Sequence, residues 1–129
     1  MGQVRAAMST MVLTIGPAHT LREAARLMSA KKVGAAVVVD PDQDSIDILT
    51  ERDILDAIGA EQDVDAETVG AHLTGDVVVA GPDWDLDRAA QTMVAGGFRH
   101  LVVCEGSDVV GILSVRDITR VWSESHQPV

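Results

Sequence analysis

The sequence predicts an α/β fold built from two copies of one strand, helix, strand, strand, helix unit. Aligning the chain with itself pairs Gly16-Pro17 with Gly81-Pro82, and Arg52-Asp53-Ile54 with Arg116-Asp117-Ile118. Within each copy, apolar residues at helical spacing are followed by short β-branched runs, a pattern typical of helices packed on a sheet. Two copies are too few for a solenoid, so they indicate one pseudo-twofold domain.

The elements follow from local signals. The first helices are predicted to begin at the N-caps Thr20, in a capping box with Glu23, and Asp85, and the second of them to end at Gly96-Gly97. The last helix of each copy is predicted to begin after Thr50 or Ser114. The predicted strands are 11–15, 35–39 and 46–49 in the first copy, and 77–79, 101–104 and 109–113 in the second, the last two of each copy forming a hairpin.

Composition limits the organisation and the partners. A chain of 129 residues with 47% apolar residue types can bury one compact domain, so we expect motifs at 4–59 and 67–123 joined by a polar linker at 60–66. The net charge of −10 opposes binding to nucleic acid or to an anionic membrane. A small phosphate ligand is compatible with it, because charge is screened over about 8–10 Å.

Other classes of function find no support. The sequence begins without the apolar core of a signal peptide and contains no run long enough to span a bilayer, so we expect a cytoplasmic protein. The four histidines are scattered, which argues against a metal site, and Cys104 lies in an apolar run typical of an inert buried thiol. Neither Gly-x-Ser-x-Gly nor Gly-x-Gly-x-x-Gly occurs, so we expect no catalysis, catalytic residue or required cofactor.

The most informative feature is the start of the last helix in each copy. The two copies read Thr50-Glu51-Arg52-Asp53 and Ser114-Val115-Arg116-Asp117. A hydroxyl, free backbone N–H groups and a carboxylate at one helix end suit a phosphorylated sugar, because the carboxylate accepts hydrogen bonds from vicinal ribose hydroxyls while the helix end favours phosphate. The adjoining Arg52 and Arg116 would offset phosphate charge.

The same pattern has a simpler interpretation. Thr-x-x-Asp at a helix start is a variant capping box that satisfies backbone donors with no ligand. Recurrence in both copies, with arginine each time, favours a ligand because capping requires neither Arg52 nor Arg116. Common ancestry of the copies explains part of that recurrence.

The repeat pattern, with its endings Thr50-Glu51-Arg52-Asp53 and Gly111-Ile112-Leu113-Ser114-Val115-Arg116-Asp117, resembles the CBS motif family over residues 4 to 123. The resemblance implies a CBS pair, or Bateman module, in which two motifs pack about a pseudo-twofold axis. Clefts between such motifs bind AMP, ADP, ATP or S-adenosylmethionine, and the pairs commonly form homodimers. The implied role is regulation, such as energy sensing, exerted on an unknown effector protein.

The resemblance also implies roles for individual residues. It assigns Asp53 and Asp117 to ribose hydroxyls, and Thr50 and Ser114 to the ribose–phosphate side. Gly34 and Ala35, where the second strand of the first copy begins, would leave room for the adenine ring. At the matching place in the second copy, Arg99 and His100 would reach phosphates, although an exposed strand end is an equally good interpretation of both.

Two departures from the family pattern affect these expectations. Asp47 stands where the second copy has the expected Gly111, and Val37 and Val102 stand where the family often has proline. Since Asp47 would disfavour a nearby phosphate, we expect at least one working site but not necessarily two. The alternative function is a ligand-free dimerisation or interaction module in which the helix starts are only caps, and an unrecognised small enzyme would have to turn over its nucleotide.

Overall fold

A computed structural model describes residues 1–75 and 77–126. The chain forms two compact units. The first unit is Leu13–Val77, and the second unit combines Met1–Val12 with the residues from Val78 onward. The polar segment 60–66, expected as a linker, lies within the first unit, where the Arg22 N–H donates to the carbonyl of Val64 over 3.1 Å.

Both units are mixed α/β structures, as the sequence predicts. A short 3₁₀ turn at Val69–Ala71 precedes the second half of the chain. In chain order the helices and strands are α1 (Val4–Ala7), β1 (Thr14–Ile15), α2 (Leu21–Lys31), β2 (Ala35–Val38), β3 (Asp47–Thr50), α3 (Glu51–Gly59), β4 (Val79–Ala80), α4 (Leu86–Gly96), β5 (His100–Glu105), β6 (Asp108–Ser114) and α5 (Val115–Ser125).

Each unit contains one three-stranded sheet with the same topology. In the first unit β2 is central, parallel to β1 and antiparallel to β3, with Ala36 opposite Leu49. In the second unit β5 is central in the same way, with Leu101 opposite Leu113. The two predicted hairpins are therefore confirmed, and each sheet ends where α3 or α5 begins.

The two cores are almost wholly aliphatic, which agrees with a composition that contains one Phe, two Trp and no Tyr. Helices α2 and α4 bury the predicted faces against the sheets, and small alanines at Ala24 and Ala89 allow close approach. Val4 and Ala7 of α1 lie in the core of the second unit, and Val69 lies in that of the first. The first residues of each sequence repeat are therefore buried in the unit that the other repeat mainly forms.

The structure corrects several predicted boundaries. The strand predicted at 11–15 is reduced to Thr14–Ile15, with Met11 69% exposed, and the strand predicted at 77–79 is Val79–Ala80. Helix α1 and the 3₁₀ turn were not predicted, because four residues or fewer carry no measurable helical period. The helix starts at Thr20 and Asp85 are confirmed, as is the end at Gly97, whose φ of 72° is the left-handed conformation that glycine favours.

Candidate functional site

In the first unit, the junction of β3 and α3 fixes the carboxylate of Asp53. Thr50 is the last residue of β3 and the N-cap of α3. The Asp53 N–H donates to the Thr50 Oγ1 over 3.3 Å, while the Thr50 N–H donates to the Asp53 Oδ2 over 2.8 Å. This reciprocal capping box satisfies two donors at the helix start and confirms the local geometry expected from the sequence.

The second unit repeats this arrangement where β6 meets α5. Ser114 caps the helix, its N–H and its hydroxyl lying 2.9 and 3.0 Å from the Asp117 Oδ2. The Asp117 N–H donates to the Ser114 Oγ over 3.1 Å, and the Val115 N–H donates to the carbonyl of Arg99 over 2.9 Å. Arg116 lies between Val115 and Asp117 in sequence, so its N–H belongs to the helix end that favours anions.

Sheet pairing brings the predicted adenine-side and phosphate-side residues to these junctions. Ala35 lies opposite Thr50, and His100 lies opposite Ser114. The carbonyl of Gly34 accepts from the N–H of Glu51 over 2.9 Å, as Arg99 does from Val115 in the other unit. The ten predicted residues therefore fall into two groups of five, one in each unit: Gly34, Ala35, Thr50, Arg52 and Asp53, and Arg99, His100, Ser114, Arg116 and Asp117.

The arginines at the two junctions differ in their surroundings. Arg52 is exposed and lies 3.9 Å from the carboxylate of Asp56, one helical turn along α3. Arg99 and Arg116 are also exposed, and no residue in 1–75 or 77–126 forms an ion pair with either. His100 is half-buried at the start of β5. Among the described residues, the arginines of the second junction are therefore less neutralised by ion pairs than Arg52 is.

Sequence reasoning missed two residues that contact the carboxylates. The Thr74 Oγ1 lies 2.9 and 3.0 Å from the two oxygens of Asp53, and Thr74 forms a β-bridge with Ile48. Arg120, one turn after Asp117, places its Nη2 3.5 Å from the Asp117 Oδ1 and 3.1 Å from the carbonyl of Ala7. The repeat gives no signal for either contact, because the aligned residues Ser9 and Asp56 contact Met11 and Arg52 instead.

The glycine that distinguishes the second copy has a packing role. A Cβ at Gly111 would lie 2.8 Å from both the backbone oxygen of Ser9 and the Sδ of Met8, so this position accommodates the N-terminal segment against β6. In the first unit Asp47 is half-buried, and its Oδ2 accepts from the Ser45 hydroxyl over 3.2 Å. The glycine at position 111 is therefore explained by the packing of the N-terminal segment.

The chain shows few other reactive groups. Cys104 is buried on β5, and burial, with a smaller contribution from the charge of Asp108, raises the pKa of its thiol. A thiol with a raised pKa is protonated at neutral pH and is a poor nucleophile.

Within the described residues, no three His, Cys, Asp or Glu side chains are grouped so that they could hold a metal ion. Nor is any helix among them long and apolar enough to cross a membrane.

Known proteins similar to this chain share its repeat. The family described as CBS domain matches residues 3–60 and again 69–124. An uncharacterized 17.7 kDa protein of Acidianus ambivalens is 34% identical over 119 residues, which cover 92% of this chain and 71% of the relative. An uncharacterized protein of Methanocaldococcus jannaschii is 33% identical over 127 residues, 95% of this chain but only 45% of the relative.

Solved structures agree with these relationships. A hexameric CBS-CP12 protein from bloom-forming cyanobacteria has a TM-score of 0.88 at 27% identity, covering 100% of this chain and 77% of that protein. A CBS domain protein from Pyrobaculum aerophilum, solved in complex with AMP, has a TM-score of 0.79 at 25% identity, covering 89% of this chain and 88% of that protein. The chain belongs to the CBS domain family and carries two CBS motifs.

Proposed function

We propose that this chain is a regulatory module that binds an adenosine-containing small molecule, namely the adenine nucleotides AMP, ADP or ATP or else S-adenosylmethionine, and signals its presence to a partner protein. The observation that carries the proposal is the twice-repeated junction of a strand end, a capping hydroxyl and a fixed carboxylate. Asp53 and Asp117 occupy the same place in their units, each held by its own N-cap residue.

The chemistry of the junction matches the parts of a nucleotide. A carboxylate has about four acceptor positions, and the capping bonds of Asp117 use one oxygen, which leaves Oδ1 directed to other donors such as the two ribose hydroxyls. The first turn of α5 and the guanidinium of Arg116 favour a phosphate. We assign the adenine ring to Gly34 and Ala35 at the first junction, because their small size suits close approach of a flat ring.

Family membership supports the proposal. The Pyrobaculum aerophilum protein that was solved with AMP shares this fold at 25% identity. The two relatives described above bear no enzyme name, which agrees with a regulatory role. Binding would act by population shift, because a ligand that prefers one arrangement of the chain raises the population of that arrangement.

We further propose that two copies of the module form a homodimer and that this homodimer contacts an effector protein. Two helices carry large apolar side chains that the chain itself leaves exposed, Leu55 and Ile58 on α3 and Val115 and Trp122 on α5. Exposed apolar side chains close together on one helix favour contact with another protein, and each of these two helices carries such a pair. Size-exclusion chromatography with light scattering, in the presence and absence of nucleotide, would give the number of chains per particle.

Calorimetric titration of nucleotide-stripped protein with AMP, ADP, ATP and S-adenosylmethionine tests the binding. We expect saturable heat with at least one of them, and a loss of about 10-fold to 150-fold in affinity for Asp117→Ala, the value of one charge-assisted hydrogen bond. Thr20→Ala is the matched control, because it removes the hydroxyl of a capping box on α2 that has no ligand role. No heat and no thermal shift with any of the four compounds would contradict the proposal.

A structural interaction module is the second candidate. The specific observation in its favour is that both capping boxes are complete without any ligand. In that case Asp117→Ala would lower the free energy of unfolding by about 1 kcal/mol, the value of a cap, and would change no binding. An enzyme would be recognised by turnover, so recovery of unchanged nucleotide after long incubation would exclude that class.

A further inference from the structure

We infer that the two junctions are unequal nucleotide sites, such that the carboxylate of Asp117 binds a phosphorylated ribose while Thr74 closes the equivalent carboxylate of Asp53. This inference rests on the proposed function and specifies it. Three independent features of the structure support it: the hydrogen bonds of the carboxylates, the residues aligned with Thr74, and the charges along α3 and α5.

Donors from within the chain lie within hydrogen-bond distance of both oxygens of the Asp53 carboxylate. Its Oδ2 accepts from the N–H and the hydroxyl of Thr50 over 2.8 and 3.0 Å. The Thr74 hydroxyl lies 3.0 Å from this oxygen and 2.9 Å from Oδ1, so it approaches both. A hydroxyl donating to a carboxylate is the interaction that a ribose hydroxyl would make, and Thr74 supplies it from within the chain.

Within residues 1–75 and 77–126, Asp117 has no hydroxyl neighbour equivalent to Thr74. Ser9 aligns with Thr74 and makes the matching β-bridge, to Ile112, but its hydroxyl accepts from the N–H of Met11 over 3.3 Å. The Asp117 Oδ1 has Arg120 as its neighbour at 3.5 Å, beyond the usual length of a charged hydrogen bond. A ribose diol would therefore displace weaker hydrogen bonds at this oxygen than at either oxygen of Asp53.

Charge favours the same junction for a phosphate. The first two turns of α3 contain Glu51, Asp53 and Asp56 against a single base, Arg52. At the same positions α5 has Val115, Asp117 and Arg120 together with Arg116. Arg99 adds another exposed guanidinium at the start of β5, where the first unit has Gly34. A nucleotide phosphate beside α3 would meet a net negative helix start, whereas beside α5 it would meet a positive one.

The experiment counts AMP molecules per chain by calorimetry in matched variants. The inference predicts one AMP per chain for the wild type, and a loss of affinity that is tenfold or more for Asp117→Asn and clearly smaller for Asp53→Asn. Thr74→Val keeps the β-branched shape but removes the hydroxyl, so it should add a second, weaker site. Ser9→Ala, the aligned control, should leave one site.

Two further comparisons make the test sharper. Arg116→Ala should weaken AMP more than adenosine, because the guanidinium is assigned to the phosphate. Circular dichroism melts of each variant show whether it is folded, and the comparison of Asp53→Asn with Asp117→Asn does not depend on Thr74→Val folding.

The outcomes separate this inference from the proposed function. Two equal sites in the wild type, equal losses in Asp53→Asn and Asp117→Asn, or a folded Thr74→Val that still binds one AMP would overturn the inference and leave nucleotide binding intact. A wild-type protein that binds neither AMP nor any of the other three nucleotides would overturn both.

Discussion

Replacing Gly111 by alanine tests how the N-terminal segment is built into the second unit. The added Cβ would lie 2.8 Å from the backbone oxygen of Ser9 and from the Sδ of Met8. The methionine side chain can rotate away, but the Ser9 oxygen cannot, because Ser9 and Ile112 exchange two backbone hydrogen bonds of 2.9 and 3.0 Å. Relief of the clash must therefore stretch or break this bridge.

We expect Gly111→Ala to lower the free energy of unfolding by about 1–3 kcal/mol, the usual range for overpacking a well-packed site. Urea unfolding followed by circular dichroism gives the value. Gly59→Ala is the matched control, because its Cβ meets nothing within 4 Å at the last residue of α3, and it should be neutral or stabilising by up to about 1 kcal/mol. Equal urea midpoints for Gly111→Ala and the wild type would refute the packing of residues 8 and 9 against β6.

The remaining predictions concern the core, the thiol and one ion pair. Leu49→Ala, at a fully buried position of β3, should lower the free energy of unfolding by about 2–5 kcal/mol in urea, and a cost below 1 kcal/mol would contradict its place in the core. Cys104 should react with Ellman's reagent at pH 7.5 only in urea, since burial raises the pKa of its thiol, and rapid modification of the native chain would count against that burial. The hydrogen bond from Arg22 lowers the pKa of Asp65, so the stability this pair contributes is present above the unfolded pKa and is lost as the pH falls through the folded pKa. Urea unfolding should accordingly show that the free energies of unfolding of the wild type and Asp65→Asn differ at pH 6 and approach each other as the pH falls below the ordinary range of an aspartate pKa. A difference that grows in acid would contradict this reasoning.

Features that depend on neighbours in sequence could be predicted. The capping box of Thr50 with Asp53, and that of Ser114 with Asp117, each span a single helical turn, so residue type and spacing suffice to indicate them. The hairpins were predictable for the same reason, since a polar turn separates two apolar runs in each copy. The repeat added the pairing of the two junctions, because aligned residues adopt the same local structure.

Features that depend on distant residues could not be predicted. Thr74 reaches Asp53 from 21 positions away, and nothing in the local pattern of either residue indicates the contact. The burial of Val4 in the second unit is a similar case, since Val4 and Val69 have the same local sequence signal but lie in different cores. The Arg120 contact with Asp117 is local by comparison, an i,i+3 pair on α5 that helical spacing could have indicated.

The measurement that tests nucleotide binding most directly is an AMP titration of Asp117→Asn beside the wild type, with urea unfolding of both. The asparagine oxygen can still accept from the N–H and hydroxyl of Ser114, so the cap is retained while the charge and one acceptor oxygen are lost. The account predicts a loss of tenfold or more in AMP affinity with a change of less than about 1 kcal/mol in the free energy of unfolding. Unchanged AMP affinity in Asp117→Asn would contradict it, as would a wild-type protein that binds none of AMP, ADP, ATP and S-adenosylmethionine.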